Sequence, residues 1–327
     1  MTTNNFTNKI FSISSAKEFN DISIEIFHYQ YKNVKIYHNY VNALSINPLE
    51  IKHFSQIPFL PIQFFKTHNV ICDGALPEIS FSSSGTTGEN VSHHNIADVQ
   101  VYKNSFIKCF EIFYGKPDDC CILALLPGYI ERNNSSLVFM VNELINLSKN
   151  QKSGFYLNDN QTLIDILQNL KNEKVLLIGV THALLDIAET VKLSLPNCTI
   201  METGGMKGRR KEIIRTELHN ALKIGFGVNK IHSEYGMTEL LSQAYSKGDG
   251  IYFCPPWMKV IIRDFNDPLE TLNSNEKGGI NVIDLANFNS CSFIATDDIG
   301  KTNEDNSFEI FGRFDNSQIR GCSLMVE

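Results

Sequence analysis

A glycine-rich and hydroxyl-rich stretch, SSSGTTGEN at 82–90, has the residue types that can surround a phosphate group. Glycine lets the backbone approach a ligand, hydroxyl groups donate hydrogen bonds, and consecutive backbone N–H groups form a concavity that binds anions. The stretch directly follows EISFSS (78–83), which has strand character. It lacks the lysine of the P-loop pattern GxxxxGK[ST], so a phosphate loop and a surface linker both fit the stretch when it is taken alone.

Three later segments carry groups that suit a nucleotide. HSEYGMTE (232–239) offers an aromatic ring for stacking, a hydroxyl for phosphate and a carboxylate for Mg²⁺. TDDIG (296–300) has carboxylates able to bind ribose hydroxyls, and GRFDNSQIRG (312–321) has an arginine able to bind phosphate. Each segment alone also fits an ordinary strand-end turn, and Tyr235 alone also fits a core aromatic.

The composition excludes several classes of protein. The chain has 327 residues, 43% of them hydrophobic, and a net charge of −7, which argues against a nucleic-acid or anionic-membrane partner. There is no transmembrane-length apolar run and no secretory signal in MTTNNFTNKIFSISS, so we expect a cytoplasmic protein. The eight cysteines form no CxxC pair, which predicts reduced thiols and argues against zinc.

The elements that must position these residues follow an α/β pattern in the middle of the chain. Helical periodicity over 14–45 is followed by alternating strand and helix patterns, and from about 250 only short strand patterns remain. We therefore predict three parts. They are a helical segment at 1–75 packed on the main domain, an α/β core at 76–249, and a β-rich subdomain at 250–327 whose tail carries Cys322.

In this order, the four segments resemble those of the adenylate-forming superfamily of acyl-CoA synthetases, peptide-synthetase adenylation domains and luciferases. A narrower resemblance runs from about Pro58 to the C-terminus, and it is to the acyl-protein synthetase (LuxE-type) family. It rests on these strings: LPIQFFKTH, SSSGTTG, LPGYIERNNSSLVFM, METGGMKGRRKEIIRTELH, SEYGMTELLSQAY, CPPWMKVIIRD and GRFDNSQIRGCSLM. The resemblance implies the large N-terminal-type domain of that superfamily, with layered α/β sheets and a C-terminal β-rich subdomain.

The resemblance also implies ATP and Mg²⁺ as cofactors and assigns roles to particular residues. The phosphate loop comprises Ser83, Ser84, Gly85, Thr86, Thr87 and Gly88. The segment bordering adenine comprises Thr203, Gly204 and Gly205, and Tyr235 with Gly236 flanks the base. Thr238 would contact phosphate, Glu239 would bind Mg²⁺, Asp298 would bind ribose, Arg313 matches the GR arginine, and Asp315 matches the hinge.

This sequence departs from the superfamily pattern at three places: after the phosphate loop, in the ribose turn and at the C-terminus. No lysine follows the loop, so its charge must come from elsewhere, and the candidates are Lys207, Arg209 and Arg210, which also fit helix-start or surface positions. Asp297 replaces the usual glycine of the ribose turn. His232 fits either a group that orients the substrate or a packed structural histidine.

The third departure concerns the C-terminus. The superfamily's usual C-terminal lid domain, with its catalytic lysine, is expected to be missing, because only 12 residues follow Asp315. Cys322 matches the cysteine that acyl-protein synthetases acylate. We therefore predict attack of its sulfur on acyl-AMP to give a thioester, although a small residue in a terminal strand also fits this position.

Three functions stay open at this point. The first is an acyl-protein synthetase that activates a fatty acid with ATP and passes it through Cys322 to a reductase or carrier protein. The second is an acyl-CoA, aryl-CoA or carrier-protein ligase that uses an external thiol. The third is a non-catalytic subunit that binds nucleotide or acyl groups within a reductase complex.

Overall fold

The chain is described by a computed structural model over residues 3–83, 91–126, 134–157, 159–170, 173–204 and 213–314. It divides into two compact units. The terminal unit comprises 1–79, 92–98 and 256–327, and the α/β unit comprises 80–91 and 99–255. Within the described ranges, no helix is long and apolar enough to cross a membrane.

The α/β unit is built around a sheet with strand order β10-β9-β8-β7-β6-β4-β5. Strands β5, β4, β6, β7 and β8 are parallel, and β9 and β10 are antiparallel additions. The strands are β4 (Cys121–Leu125), β5 (Gly154–Phe155), β6 (Val175–Val180), β7 (Cys198–Thr203), β8 (His232–Tyr235), β9 (Ala244–Ser246) and β10 (Ile251–Phe253). Two strands precede them in the chain, β2 (Ile79–Ser82) and β3 (His93–Ile96).

Helices accompany the parallel strands, one before β4 and one in each connection between successive strands. They are α5 (Val99–Tyr114), α6 (Ser136–Ser148), α7 (Asn160–Asn169), α8 (Thr181–Thr190) and α9 (Arg215–Phe226), with a 3₁₀ turn at Pro117–Asp119. Every residue of β4 and β6 is buried, as expected for apolar strands covered on both faces. Because these strands run the same way, their carboxyl ends meet at one edge of the sheet, where open α/β sheets bind ligands.

The terminal unit contains an antiparallel sheet of β11 (Met258–Arg263), β12 (Gly278–Asp284), β13 (Phe293–Thr302) and β14 (Phe308–Arg313). The short strand β1 (Leu60–Pro61) lies parallel to β13, with Leu60 opposite Ile294. A register shift between Ile299 and Gly300 interrupts the β13–β14 ladder. This irregularity directly follows Asp297 and Asp298.

The terminal unit also contains the N-terminal helices. They are α1 (Thr3–Ile10), α2 (Ala16–Asn33), α3 (Lys35–Ala43) and α4 (Phe64–Thr67), with 3₁₀ turns at Pro48–Glu50, Phe54–Gln56 and Leu285–Asn287. The rings of Phe27 and Tyr37 pack on Phe293 of β13 at centroid distances of 6.4 and 6.2 Å. The helical segment and the C-terminal sheet therefore share one aromatic core.

Helix α2 begins at a serine cap. Ser15 is its N-cap, and its hydroxyl accepts a hydrogen bond from the Glu18 backbone N–H at 3.2 Å. The Glu18 carboxylate accepts in return from the Ser14 N–H at 2.8 Å and from the Ser14 hydroxyl at 2.9 Å. Ser15 and Glu18 therefore cap the start of α2 from both sides, as in a capping box.

Candidate nucleotide site

The carboxyl ends of β7 and β8 bring together two of the predicted site segments. In the parallel register, Thr203 lies opposite Glu234, one residue before Tyr235. Gly204 leaves β7 with a φ of +60°, a left-handed conformation that glycine adopts without steric cost. The adenine-bordering segment and the YGMTE segment therefore begin side by side at the edge of the sheet.

The YGMTE residues form a tight turn after β8. The Leu240 N–H donates to the Met237 carbonyl at 3.1 Å, which closes the turn. Tyr235 and Glu239 are buried, Thr238 is half-buried and Gly236 is exposed. An exposed glycine between side chains that are predicted to bind the nucleotide leaves the backbone accessible to a ligand.

Tyr235 packs against an aromatic residue that the sequence analysis missed. The ring of Tyr252, on β10, lies 6.1 Å from that of Tyr235 in an edge-to-face arrangement. The Arg215 guanidinium lies over the Tyr252 ring, 5.3 Å from its centroid. This support fixes the ring that is expected to flank adenine, and it confirms that Tyr235 is also a packed aromatic.

Glu234 is the second residue that the sequence analysis missed. The Thr203 hydroxyl donates to Glu234 Oε2 at 2.5 Å, and a Cβ on Gly236 would lie 2.3 Å from Glu234 Oε1. The pKa of Glu234 is raised to about 7. Burial is the main cause, the Thr203 hydrogen bond acts in the opposite direction, and the charge of Glu202 adds to the increase. The available signal was a carboxylate inside a strand pattern, directly before the YGMTE segment.

Glu202 lies on the opposite face of the sheet, because it pairs with Ser233 while Thr203 pairs with Glu234. The Thr181 hydroxyl donates to Glu202 Oε2 at 3.2 Å, and His219 Nε2 lies 3.6 Å from Glu202 Oε1. Burial raises the pKa of Glu202, but His219, Ser233 and Arg215 lower it more strongly, so the net shift is downward. Glu202 is therefore a buried carboxylate that stays charged.

His232 lies away from this strand end, at the beginning of β8. Its Nδ1 atom is 3.2 Å from the Tyr114 hydroxyl, and the rings lie 5.7 Å apart. Burial and the charges of Lys247 and Lys230 lower its pKa to about 4, so the imidazole is neutral at pH 7. These contacts favour the structural interpretation of His232.

In the terminal unit, Asp298 and Arg313 face each other on β13 and β14. Arg313 Nε donates to Asp298 Oδ1 at 2.8 Å, the carboxylate is buried and the arginine side chain is 72% exposed. An ion pair that is this exposed on one side contributes little to stability. The arrangement places the predicted ribose carboxylate beside a cation.

Asp297, the residue that departs from the superfamily pattern, is held from outside its own strand. The Gln63 side-chain amide donates to its carboxylate. Its backbone carbonyl accepts from the Phe314 N–H at 2.8 Å. The Gln63 bond connects the segment LPIQFFKTH with the predicted ribose turn inside the terminal unit.

Magnesium would depend on few protein ligands here. In the described part of the chain, no group of three or more His, Cys, Asp or Glu side chains could hold a metal ion. Magnesium is usually bound by one or two carboxylates together with phosphate oxygens and water. The buried carboxylate of Glu239 fits that donor set.

Several predicted residues lie outside the described ranges. They are Ser84, Gly85, Thr86, Thr87, Gly88, Gly205, Lys207, Arg209, Arg210, Asp315 and Cys322. Ser83 is described directly after β2, and the neighbouring Ser82 N–H donates to the Asn134 carbonyl at 2.9 Å. The roles of all these residues remain predictions.

The fold is that of the adenylate-forming ligases. ATP-bound MatB from Rhodopseudomonas palustris superposes with a TM-score of 0.55 at 17% identity, over 74% of this chain and 49% of that chain. A 2-hydroxyisobutyryl-CoA ligase in complex with 2-HIB-AMP and CoA superposes with a TM-score of 0.68 at 14% identity, over 92% of this chain and 70% of that chain. This chain thus spans about half the length of MatB (49%), and the predicted fold class is confirmed.

Within that class the family can be stated. The sequence profile of the acyl-protein synthetases, LuxE, matches residues 11–327, and the chain belongs to this family. No curated protein sequence gives a match. Family membership confirms the resemblance that the sequence motifs predicted.

Proposed function

We propose that this chain is an acyl-protein synthetase that activates a fatty acid with ATP and then carries the acyl group on Cys322. The observation that carries the proposal is the junction of Thr203 with the YGMTE turn at the carboxyl ends of β7 and β8. It lies in a chain whose family is that of the acyl-protein synthetases. Activity in the cytoplasm follows from the need for ATP and a reduced thiol.

In the first half-reaction, a carboxylate oxygen of the fatty acid attacks the α-phosphorus of ATP. An acyl–oxygen–phosphorus linkage forms, the bond to pyrophosphate breaks, and pyrophosphate leaves. Neither partner needs a protein acid or base, so positioning and compensation of charge dominate this step. A bound Mg²⁺ ion supplies charge neutralisation at the phosphates.

Each part of ATP has a proposed partner in this chain. Tyr235 flanks adenine beside Thr203 and Gly204, Asp298 and Arg313 bind the ribose side, and Thr238 contacts phosphate. Glu239 holds Mg²⁺. The loop Ser83–Gly88 surrounds the phosphates, and Lys207, Arg209 and Arg210 supply the positive charge that the loop lacks.

In the second half-reaction, the sulfur of Cys322 bonds to the acyl carbon. The bond between that carbon and the AMP oxygen breaks, AMP leaves, and the thiol proton passes to solvent. The resulting thioester stays reactive toward a further acceptor, which we propose to be an acyl reductase or a carrier protein.

An anionic protein of net charge −7 is not suited to a nucleic-acid partner.

A second candidate function is ligation to an external thiol. The 2-hydroxyisobutyryl-CoA ligase of similar fold was crystallised with CoA, and its likeness to this chain favours testing CoA as the acceptor. Both functions share the adenylation step and differ only in the thiol.

The decisive experiment combines ATP–pyrophosphate exchange with mass spectrometry of the intact chain and of its Cys322 peptide. The chain is incubated with ATP, Mg²⁺ and a panel of carboxylic acids, with and without CoA. We expect exchange with a fatty acid and a hydroxylamine-labile acyl mass on the Cys322 peptide. Cys322→Ala should keep the exchange and lose the acyl mass.

The matched control is Cys254→Ser, since Cys254 is half-buried and most other described cysteines are buried. This variant should keep both the exchange and the acyl mass. An unmodified Cys322 together with rapid formation of acyl-CoA would replace the proposal by the external-thiol function. No exchange with any acid would support a non-catalytic subunit.

A further inference from the structure

Glu234 connects two segments of the proposed ATP site without belonging to either motif. Its Oε2 atom accepts from Thr203 at the end of β7, and its Oε1 atom occupies the space beside Gly236 at the start of the YGMTE turn. Glu234 is 9% exposed. One carboxyl group therefore sets the spacing between the two segments.

The surroundings of Glu234 disfavour a negative charge. The titratable groups that interact with it come from four neighbouring elements: Glu202 of β7, Tyr114 of α5, Tyr245 of β9 and Tyr252 of β10. Burial is the main cause of the increase in the pKa of Glu234, and the charge of Glu202 adds to it. Arg215 of α9 lies over Tyr252 and lowers the pKa of Glu202.

We propose that Glu234 is a positioning residue for ATP: its buried carboxyl group bonds Thr203 and fills the space beside Gly236, and so holds together the two segments that are proposed to flank adenine. This role rests on the function proposed above, because it assumes that ATP binds at the ends of β7 and β8. Glu234 itself does not react. It acts through the two residues that it contacts.

The role predicts a dependence on pH. As the pH rises above about 7, Glu234 ionises, and a buried negative charge then lies beside the segments that are proposed to flank adenine. Since only the protonated form positions the site, the KM for ATP should rise up to tenfold per pH unit above that value. The kcat at saturating ATP should change much less.

Folding stability offers a readout that does not need activity. The folded-state pKa of about 7 exceeds the ordinary value of 4.5, so the protonated carboxyl stabilises the fold fully below about pH 4.5. That stabilisation is lost as the pH rises through 7. The ratio of folded to unfolded protein should fall about 300-fold from this group alone.

The test compares wild type, Glu234→Gln and Glu234→Ala by ATP–pyrophosphate exchange between pH 6 and 9. Glu234→Gln keeps a neutral group of the same shape, so it should retain most activity and lose the increase in KM above pH 7. Glu234→Ala should raise the KM for ATP about tenfold at every pH, because both segments lose their common contact. Glu202→Gln removes a charge that raises the pKa of Glu234, so we expect the increase in KM to begin at lower pH than in wild type. An increase that begins at higher pH would mean that the charge of Glu202 lowers that pKa.

Glu143→Gln is the matched control, since Glu143 lies on α6 and pairs with Lys103 at 3.0 Å. It should reproduce the wild-type pH profile. If Glu234→Gln reproduces that profile as well, the positioning role is wrong. If Glu234→Ala fails to fold, the profile and the pH-dependent stability of Glu234→Gln still decide. If wild type shows no exchange at any pH, the proposed function fails first and this role fails with it.

Discussion

Glu202 and Glu234 show how neighbouring positions give one residue type two ionisation states. Both are buried, but Glu202 lies near His219 and Arg215, whereas Glu234 lies among tyrosines and near the charge of Glu202. Burial of a carboxylate without a cation favours its neutral form. The α/β unit therefore holds the charged carboxylate of Glu202 on one face of β7 and β8. On the other face it holds Glu234, whose carboxyl group is mostly neutral below pH 7.

Gly236 is a residue whose missing side chain has a direct consequence. In Gly236→Ala, the new Cβ would lie 2.3 Å from Glu234 Oε1, so the carboxyl group must move. The moving atom ends a flexible side chain, so the cost in stability should be only about 1 kcal/mol. The displaced carboxyl loses Thr203, and we expect the KM for ATP to rise about tenfold in an exchange assay.

A double variant separates this explanation from a general loss of structure. If Gly236→Ala acts by displacing Glu234, adding Glu234→Ala should cause little further loss, because contacting residues are not additive. Gly154→Ala in β5 is the control, since its nearest neighbour would lie 4.0 Å from the new Cβ. Fully additive increases in KM for the two site variants would contradict the explanation.

At the scale of elements, the docking of α2 depends on one buried polar side chain. Gln30 Nε2 donates to the carbonyls of Asn287 and Phe288, each at 3.0 Å, and Gln30 Oε1 accepts from the Ser292 N–H at 3.1 Å. Leucine cannot replace these bonds. We expect Gln30→Leu to lower the free energy of unfolding by about 3 kcal/mol, measured by urea denaturation.

The control for this prediction is Gln161→Leu. Gln161 is exposed on α7 and its amide bonds Asp165 one turn away, at 2.8 Å. Its replacement should change stability by less than about 0.5 kcal/mol. A loss below about 1 kcal/mol for Gln30→Leu would mean that α2 docks mainly through its aromatic contacts.

Most elements of the α/β unit follow from local sequence, because periodicity is written in consecutive residues. The apolar runs CCILALL (120–126) and KVLLIGV (174–180) coincide with β4 and β6, and the glycine at 115 directly follows the last residue of α5, Tyr114. The site was harder. The motifs gave Tyr235 and Thr203, but Tyr252 and Glu234 contribute through packing between strands, which no local pattern specifies.

At the scale of the whole molecule, the set of segments that forms the terminal unit could not be predicted from the order of the elements along the chain. Leu60 pairs with Ile294, and Gln30 bonds residues near 290, so this unit joins the two ends of the sequence. Such long-range pairs depend on tertiary packing and not on propensity. The sequence division at 75 and 249 follows local pattern changes and stays a prediction.

Ligand binding provides a prediction for the molecule as a whole. ATP-Mg that binds only the folded chain should stabilise it by about 2.7 kcal/mol at 100 times its Kd. Unfolding entropies of about 2.1 cal/mol/K per residue, over 327 residues, convert this to an increase in Tm of about 4 °C. Scanning calorimetry with and without ATP measures it directly.

The variants decide whether this stabilisation comes through the proposed ribose contact. Asp298→Ala removes the buried carboxylate that pairs with Arg313 at 2.8 Å, so its Tm should rise much less with ATP than that of wild type. Asp165→Ala, an exposed change on α7, should keep the full increase. Each variant is compared with its own ligand-free Tm, because loss of the ion pair changes the starting value. An undiminished increase in Asp298→Ala would exclude Asp298 as a ligand of ATP.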